Sequence, residues 1–314
     1  MNEKTLVTLK LVLSHLLLPC VLCFSLVLLR NDDKDFLFYF TIVELVIFVV
    51  YQCGYWEFWG YRFRNLFVGL LELVILALVI TTRPAMMPGM HPLTILLVLI
   101  VLILALEVVE IMIVRWRSEK KEIELAFPFR DGKYVITDGG NSKTSRLMNY
   151  HYYSPIHRKN HTNNSMMFAA NIVKLERGRG GNGFLPKRLE GYHIWREEIH
   201  SPMSGKIIKV IDDIPDNEPF CGKYPYNAGN TVVIQKENKF LLLGHMRRGS
   251  MRVREGEMVE ANHIIGEVGS SGMSERPHLH MQLMTSDSGN YWSGMGVSIQ
   301  YRGINLYKNR IVEM

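Results

Sequence analysis

Cysteine is scarce in this sequence, four residues in 314, and no disulfide framework can be drawn from them. Cys20, Cys23 and Cys53 fall in or beside strongly apolar runs, and Cys221 is the one cysteine of the polar region, so cysteine usage leaves the redox compartment open. Charged side chains are few in the first third of the chain, and long helical periods are few in the rest. The 48% hydrophobic content therefore averages two unlike regions, and the length leaves room for both.

What the first third does have is long apolar runs, at roughly 6–29, 36–53, 63–82 and 93–114. Each is close to the ~20 residues that a helix needs to cross a bilayer. The first, "LVTLKLVLSHLLLPCVLCFSLVLL", has no small-residue cleavage site and is followed by three more of its kind. It reads as a retained transmembrane helix rather than a removed secretion signal. The organisation predicted is a four-helix membrane domain over 1–117, a basic linker over 118–124 and a polar domain over 125–314. Glu44, Glu72, Glu107 and Glu110 lie within the apolar runs. Ionisable groups at that depth face a bundle interior, a partner subunit or a functional path. The bland expectation is that Glu110 sits near the head groups while the others pair inside the bundle.

The formal charge of +6 and pI near 9.0 suit a protein beside anionic lipid or an anionic polymer. No nucleic-acid partner is expected. Lys4, Lys10, Arg62, Arg64, Arg115, Arg117, Lys120 and Lys121 flank one side of the predicted helices, against Arg30, Lys34 and Arg83 on the other. With four crossings, the charge count places both termini in the cytoplasm.

The polar region reads as a β-dominated domain. "IHSPMSGKIIKVID" has a turn at Ser204-Gly205 and an alternating strand after it. "GNTVVIQKENKFLLLGHM" reads as a hairpin turning near Glu237-Asn238, and "GSMRVREGEMVEANHIIGEVGSSG" repeats β-favouring residues between glycine turns. In "RPHLHMQL", His278 and His280 are two apart in a strand and share a face, while Leu279 and Met281 face a core. Two imidazoles on one face can share a metal, or one can bind it while the other handles protons. They can equally be polar residues of a sheet.

The order "SPMSGKI…GNTVVI…LLLGHM…GSMRVREGEMVEANHIIGEVGSSG…PHLHMQL", preceded by "FPFRDGKYVITDGGNS…NYHYYSP", resembles the lysostaphin/LytM-type zinc metallopeptidase domain, peptidase family twenty-three. The resemblance spans roughly 125–314 and leaves the apolar third uncovered. It implies a zinc ion held by two histidines and an aspartate, with a water in the fourth position activated to attack a peptide carbonyl. Two more histidines would position the water and stabilise the tetrahedral intermediate. Carried over residue by residue, His280 is the metal ligand of the HxH pair, and His278 and His245 are the catalytic histidines. The expected aspartate position holds Asn171, and Met167 stands where the commonest pattern has its first histidine. His151 in "NYHYYSP" matches the upstream histidine of this branch, with His157 and His161 as nearby substitutes. His193 and Glu197 imitate the HxxxD spacing, but "EEIHSPMSGK" aligns with the strand after the metal segment. His193 and His200 are therefore read as structural and His263 as solvated.

Three functions follow. The first is a membrane-anchored zinc metalloendopeptidase that cleaves peptide crosslinks of peptidoglycan, which requires the domain to face outward, against the charge count. The alternative is a catalytically degenerate LytM-type module that binds a peptide or regulates a partner, which Asn171 and a cytoplasmic location would suit. A weaker third is a peptidase that processes, or confers immunity to, an exported peptide. A membrane partner subunit is compatible with the helices and their glutamates.

Overall fold

The computed structural model describes residues 2–29, 36–81, 92–116, 122–154, 163–222, 224–225 and 227–314. His157, His161, Arg30, Lys34, Arg83, Arg117, Lys120 and Lys121 lie outside the described residues. The apolar third forms α1 (Glu3–Val12), a π-helical turn (Leu13–Leu17), α2 (Leu18–Leu29), α3 (Phe36–Cys53), α4 (Tyr61–Thr81) and α5 (Pro92–Trp116). The spans Glu3–Leu28, Phe36–Cys53, Tyr61–Thr81 and Pro92–Trp116 are long and apolar enough to cross a membrane. The π-turn falls just before Pro19, whose missing N–H cannot continue the regular ladder. Cys23, Leu26, Phe36, Val43, Ile47, Ile75 and Leu78 form the inner contact of the bundle. Leucines such as Leu28 and Leu73 point outward. Glu44, Glu72, Glu107 and Glu110 are half-buried and form no ion pair among the described residues, so the pairing expected inside the bundle is not made.

The polar region is mostly β: β1 (Glu122–Glu124), β2 (Lys133–Asp138), β3 (Ala170–Leu175), β4 (Glu198–His200), β5 (Gly205–Ile211), β6 (Asn230–Lys236), β7 (Lys239–Met246), β8 (Met258–Val259), β9 (Ile264–Glu267), β10 (Leu279–Thr285), β11 (Met295–Tyr301), β12 (Ile304–Asn305) and β13 (Ile311–Glu313). The main sheet runs β13-β2-β3-β10-β7-β6-β5-β8, with β11 joining β10 and carrying β1 and β12; β4 and β9 form a small second sheet. β1 falls inside the stretch expected as linker, where Glu122–Glu124 pairs in parallel with Ser298–Gln300. The β6–β7 hairpin turns at Glu237 with φ 55°. β10 has a partner on both edges and is buried almost throughout, which accounts for its near-continuous apolar and imidazole content.

The two regions share an interface. Trp56, in the turn between α3 and α4, is fully buried against Val135, Val173 and Leu175. Asn309 donates to the carbonyls of Gln52 (2.8 Å) and Gly54 (2.9 Å), and Gly180 N–H donates to Glu57 O (2.9 Å). From the other side, His15 in the π-turn accepts from the Tyr55 N–H at 2.9 Å.

Candidate active site

Register places the site. Asp138 pairs with Asn171, Asn171 with His280, and His280 with Gly244, so β2, β3, β10 and β7 line up one row of residues across the sheet. Two irregularities flank the row. Thr137 is an extra residue between Ile136 and Asp138, and Gly244-His245 stand opposite Thr231 alone. Such bulges re-aim side chains. At the second, His245 takes φ 59°, in the left-handed region that few non-glycine residues adopt. Its ring comes within 4.7 Å of His278 and 5.6 Å of His280, centroid to centroid. His151, on a 3-10 turn, brings its ring to 4.9 Å from His280. All four imidazoles and Asn171 are buried, none more than 7% exposed.

Hydrogen bonds fix the rings. His245 Nδ1 donates to Ser271 O (2.8 Å) and His278 Nδ1 to Arg276 O (2.8 Å), which leaves each Nε2 as an acceptor. His151 Nδ1 donates to Asn149 Oδ1 (2.6 Å), and Asn149 is itself held by donating to Gly140 O and Ala169 O. The His151 Nε2 is then also an acceptor, on a ring within hydrogen-bonding reach of Asn171. Burial pushes His245 down to about 3 and His280 down to about 4. Burial, with neighbouring imidazoles, holds His151 and His278 well below the usual range. All four rings are neutral at pH 7.

His280 faces an oxygen at both nitrogens: Nε2 lies 2.9 Å from Gln282 Oε1 and Nδ1 3.2 Å from Asn171 Oδ1. A neutral ring has one proton. The shorter contact takes it, with Gln282 held by its Nε2–H on Met284 Sδ. Nδ1 and Asn171 Oδ1 then face each other as two lone pairs. Rotating the Asn171 amide would not relieve this, because its Nδ2 donates to Asp138 Oδ2 at 3.4 Å and the rotated oxygen would meet that carboxylate. Two ligands about 2.1 Å from a tetrahedral ion stand about 3.4 Å apart. The observed spacing therefore suits a shared cation, and His151 Nε2, Asn171 Oδ1 and His280 Nδ1 are the donors that could hold it, each oriented by an outer hydrogen bond. The set lacks charge. Among the described residues, no group of three or more His, Cys, Asp or Glu side chains is placed to hold a metal.

Charges missed in the sequence surround this row. Asp138 meets Lys308 at 3.1 Å, both buried. Burial works to lower the lysine, but Asp138 outweighs it and holds Lys308 above its usual range, its Nζ 3.8 Å from the centre of the Tyr55 ring. Arg276, whose carbonyl orients His278, meets Glu57 of the α3–α4 turn at 2.6 Å. The "PHLH" run pointed to His278 and His280. Nothing local marks Lys308 or Glu57, which reach the site from 170 and 219 residues away in the chain. The other histidines stay apart from the row. His193 faces Glu176, His200 bonds Asn262 O, His263 is exposed, and Glu197 is engaged by Lys174 and Tyr134.

Residues 195–291 match the family described as Peptidase family M23. This stretch is an M23 peptidase domain. It contains His245, His278 and His280, while His151 and Asn171 lie before it. Endolysin 2638A of Staphylococcus phage 2638A is 41% identical over 66 residues, 20% of this chain and 14% of that protein. Glycyl-glycine endopeptidase ALE-1 of Staphylococcus capitis is 35% identical over 65 residues, 21% of this chain and 18% of that protein. The chain thus spans less than a fifth of the length of these two relatives. The catalytic domain of lysostaphin from Staphylococcus simulans overlays with a TM-score of 0.25 and 23% identity, covering 38% of this chain and 86% of that one. The M23 domain follows four long apolar helices, an arrangement that neither matched segment includes.

Proposed function

We propose that this chain is a membrane-anchored zinc metalloendopeptidase acting on peptide crosslinks of peptidoglycan. The observation that carries the reading is the convergence of His280 Nδ1 and Asn171 Oδ1, 3.2 Å apart, beside His151. Those three residues would hold the zinc. When bound, zinc acts as a Lewis acid and makes water acidic enough to ionise near neutral pH. The chain's own residues do the rest. His278 and His245, each with Nδ1 committed to a backbone carbonyl, present Nε2 acceptor atoms that take a proton from the attacking water and return it to the leaving amine. Burial keeps both rings unprotonated at neutral pH and at the same time lowers their basicity, so they accept a proton only as charge develops beside them. Glycine-rich crosslinks are the first substrate to try, since one relative is a glycyl-glycine endopeptidase.

A second reading, a non-catalytic module that binds wall peptide, is favoured by the uncharged amide at 171. Metal analysis of the full chain and its His280→Ala variant separates the two. The enzyme reading expects about one zinc per chain, lost in the variant, together with cleavage of a pentaglycine peptide. A folded, zinc-free wild type would sink it. Asn171→Asp should tighten zinc by at least about tenfold, because a unit charge at 4 Å contributes on the order of 4 kcal/mol even at an effective dielectric near 20. Part of that gain is offset by repulsion from Asp138, 3.4 Å from the present amide.

A further inference from the structure

A second recess, outside the histidine row, opens where α4 begins. It encloses about 630 Å³. One wall is Trp59, Arg62 and Phe63; the other is the turn after β3, with Arg177, Arg179 and His193. The sequence there, "ERGRGGNG", turns sharply: Arg177 has φ 49°, Gly178 81° and Gly183 98°. Glu176 and Arg179 close the turn with a reciprocal pair of backbone hydrogen bonds at 2.9 Å. Gly60, at φ 99°, lets Arg179 lie across the start of α4, since a Cβ at residue 60 would stand 3.2 Å from that side chain.

The charge in this recess is unbalanced. Arg62, Arg177 and Arg179 are exposed, and none forms an ion pair among the described residues. The acid in the lining, Glu176, faces His193 at 3.5 Å. Three guanidinium groups thus line one recess against one carboxylate among the described residues, and their forked donors match phosphate oxygens. Depth supplies the second constraint. Arg62 is the second residue of the apolar span Tyr61–Thr81, so the recess lies at head-group level when that helix crosses a bilayer. Below it the apolar face is aromatic: Trp59 stacks on Phe63 (5.9 Å) and Phe63 on Phe67 (5.7 Å), at four-residue steps down one side of α4.

We propose that this recess binds the phosphate head group of an anionic membrane lipid, with an acyl chain laid along Phe63 and Phe67. Basic pockets beside membrane helices recognise anionic head groups by this combination of charge and depth. The inference rests on the reading that the helices span the bilayer, and not on the peptidase reading. The full chain, purified in a non-ionic detergent, would be offered equal amounts of phosphatidylglycerol and phosphatidylcholine with the same acyl chains, and retained lipid read by native mass spectrometry. The expected result is one phosphatidylglycerol held in preference, with the preference reduced about tenfold in Arg177→Gln/Arg179→Gln and lowered by Arg62→Gln alone. Arg254→Gln, on a distant exposed turn, should leave it unchanged. Equal retention of the two lipids by the wild type, or full preference in the double variant, would overturn the proposal. So would displacement of the lipid by millimolar inorganic phosphate, which would assign the recess to a soluble anion. Release of the chain from membranes by alkaline carbonate would overturn the membrane reading and this proposal with it; retention in membranes without lipid preference would overturn this proposal alone.

Discussion

At the scale of single residues, the site is a set of imidazoles kept uncharged by burial, and this has a thermodynamic signature. An unfolded histidine takes up its proton near pH 6.5. His245 does so in the folded chain only near 3, and His280 near 4. Between those values the unfolded state binds more protons, so stability falls as the pH drops through that window. Chelator-treated protein should therefore lose stability steeply below about pH 6.5, on the order of 1.4 kcal/mol per pH unit for each such ring. A pH series of thermal unfolding curves would measure it, and His245→Asn should flatten part of the slope. An unchanged slope in that variant would mean that His245 is not held neutral. His278 and His280 stood out as two imidazoles on one strand face, a local two-residue signal, while His245 was singled out through the family resemblance. Asp138 and Lys308 were not legible, because they meet through a contact made by distant pieces of chain, and no local pattern encodes a buried ion pair.

Secondary-structure elements were legible where the period is simple. The turn at Glu237, the strand after Gly205 and the four apolar helices follow from alternation and length. Bulges were not legible, since an extra residue at Thr137 or His245 changes the direction of a side chain without changing the composition of its strand. The helix start at Tyr61, two residues before the apolar run, follows from the Arg64 N–H bond to Gly60 O rather than from hydropathy. The most consequential element is the turn 54–60, which places Glu57 against Arg276. That pair is 2% and 12% exposed and is joined by one close contact, leaving Glu57 Oε2 and Arg276 Nε without hydrogen-bond partners among the described residues. Removing one member strands a buried charge, at a cost of about 3–5 kcal/mol. Glu57→Ala should thus lower the unfolding midpoint sharply, and Glu57→Ala/Arg276→Met should recover much of the loss. Equal destabilisation by the single and double variants would show that the ion pair is not what holds the turn.

On the scale of the whole molecule, the sequence divided cleanly into an apolar and a polar region, yet it gave no sign that they meet. Trp56 follows the end of a helix long enough to cross a membrane, and only the fold brings it against Val135, Val173 and Leu175 of the β domain. One turn is consequently tied at both ends to helices of unequal length. α3 has 18 residues and α4 has 21, about 27 and 32 Å of rise. A bilayer thicker than the shorter helix straightens the pair and thins around it, and the turn between them, pinned by Trp56 and Glu57, is where that strain meets Arg276 and the strand that follows. With helices that cross a bilayer, membrane thickness is expected to reach the histidine row through this turn. In nanodiscs of increasing acyl length, from myristoyl to eicosenoyl lipids, amide exchange across residues 276–281 should rise in the wild type and stay level in Glu57→Ala, where the link between bilayer and strand is cut.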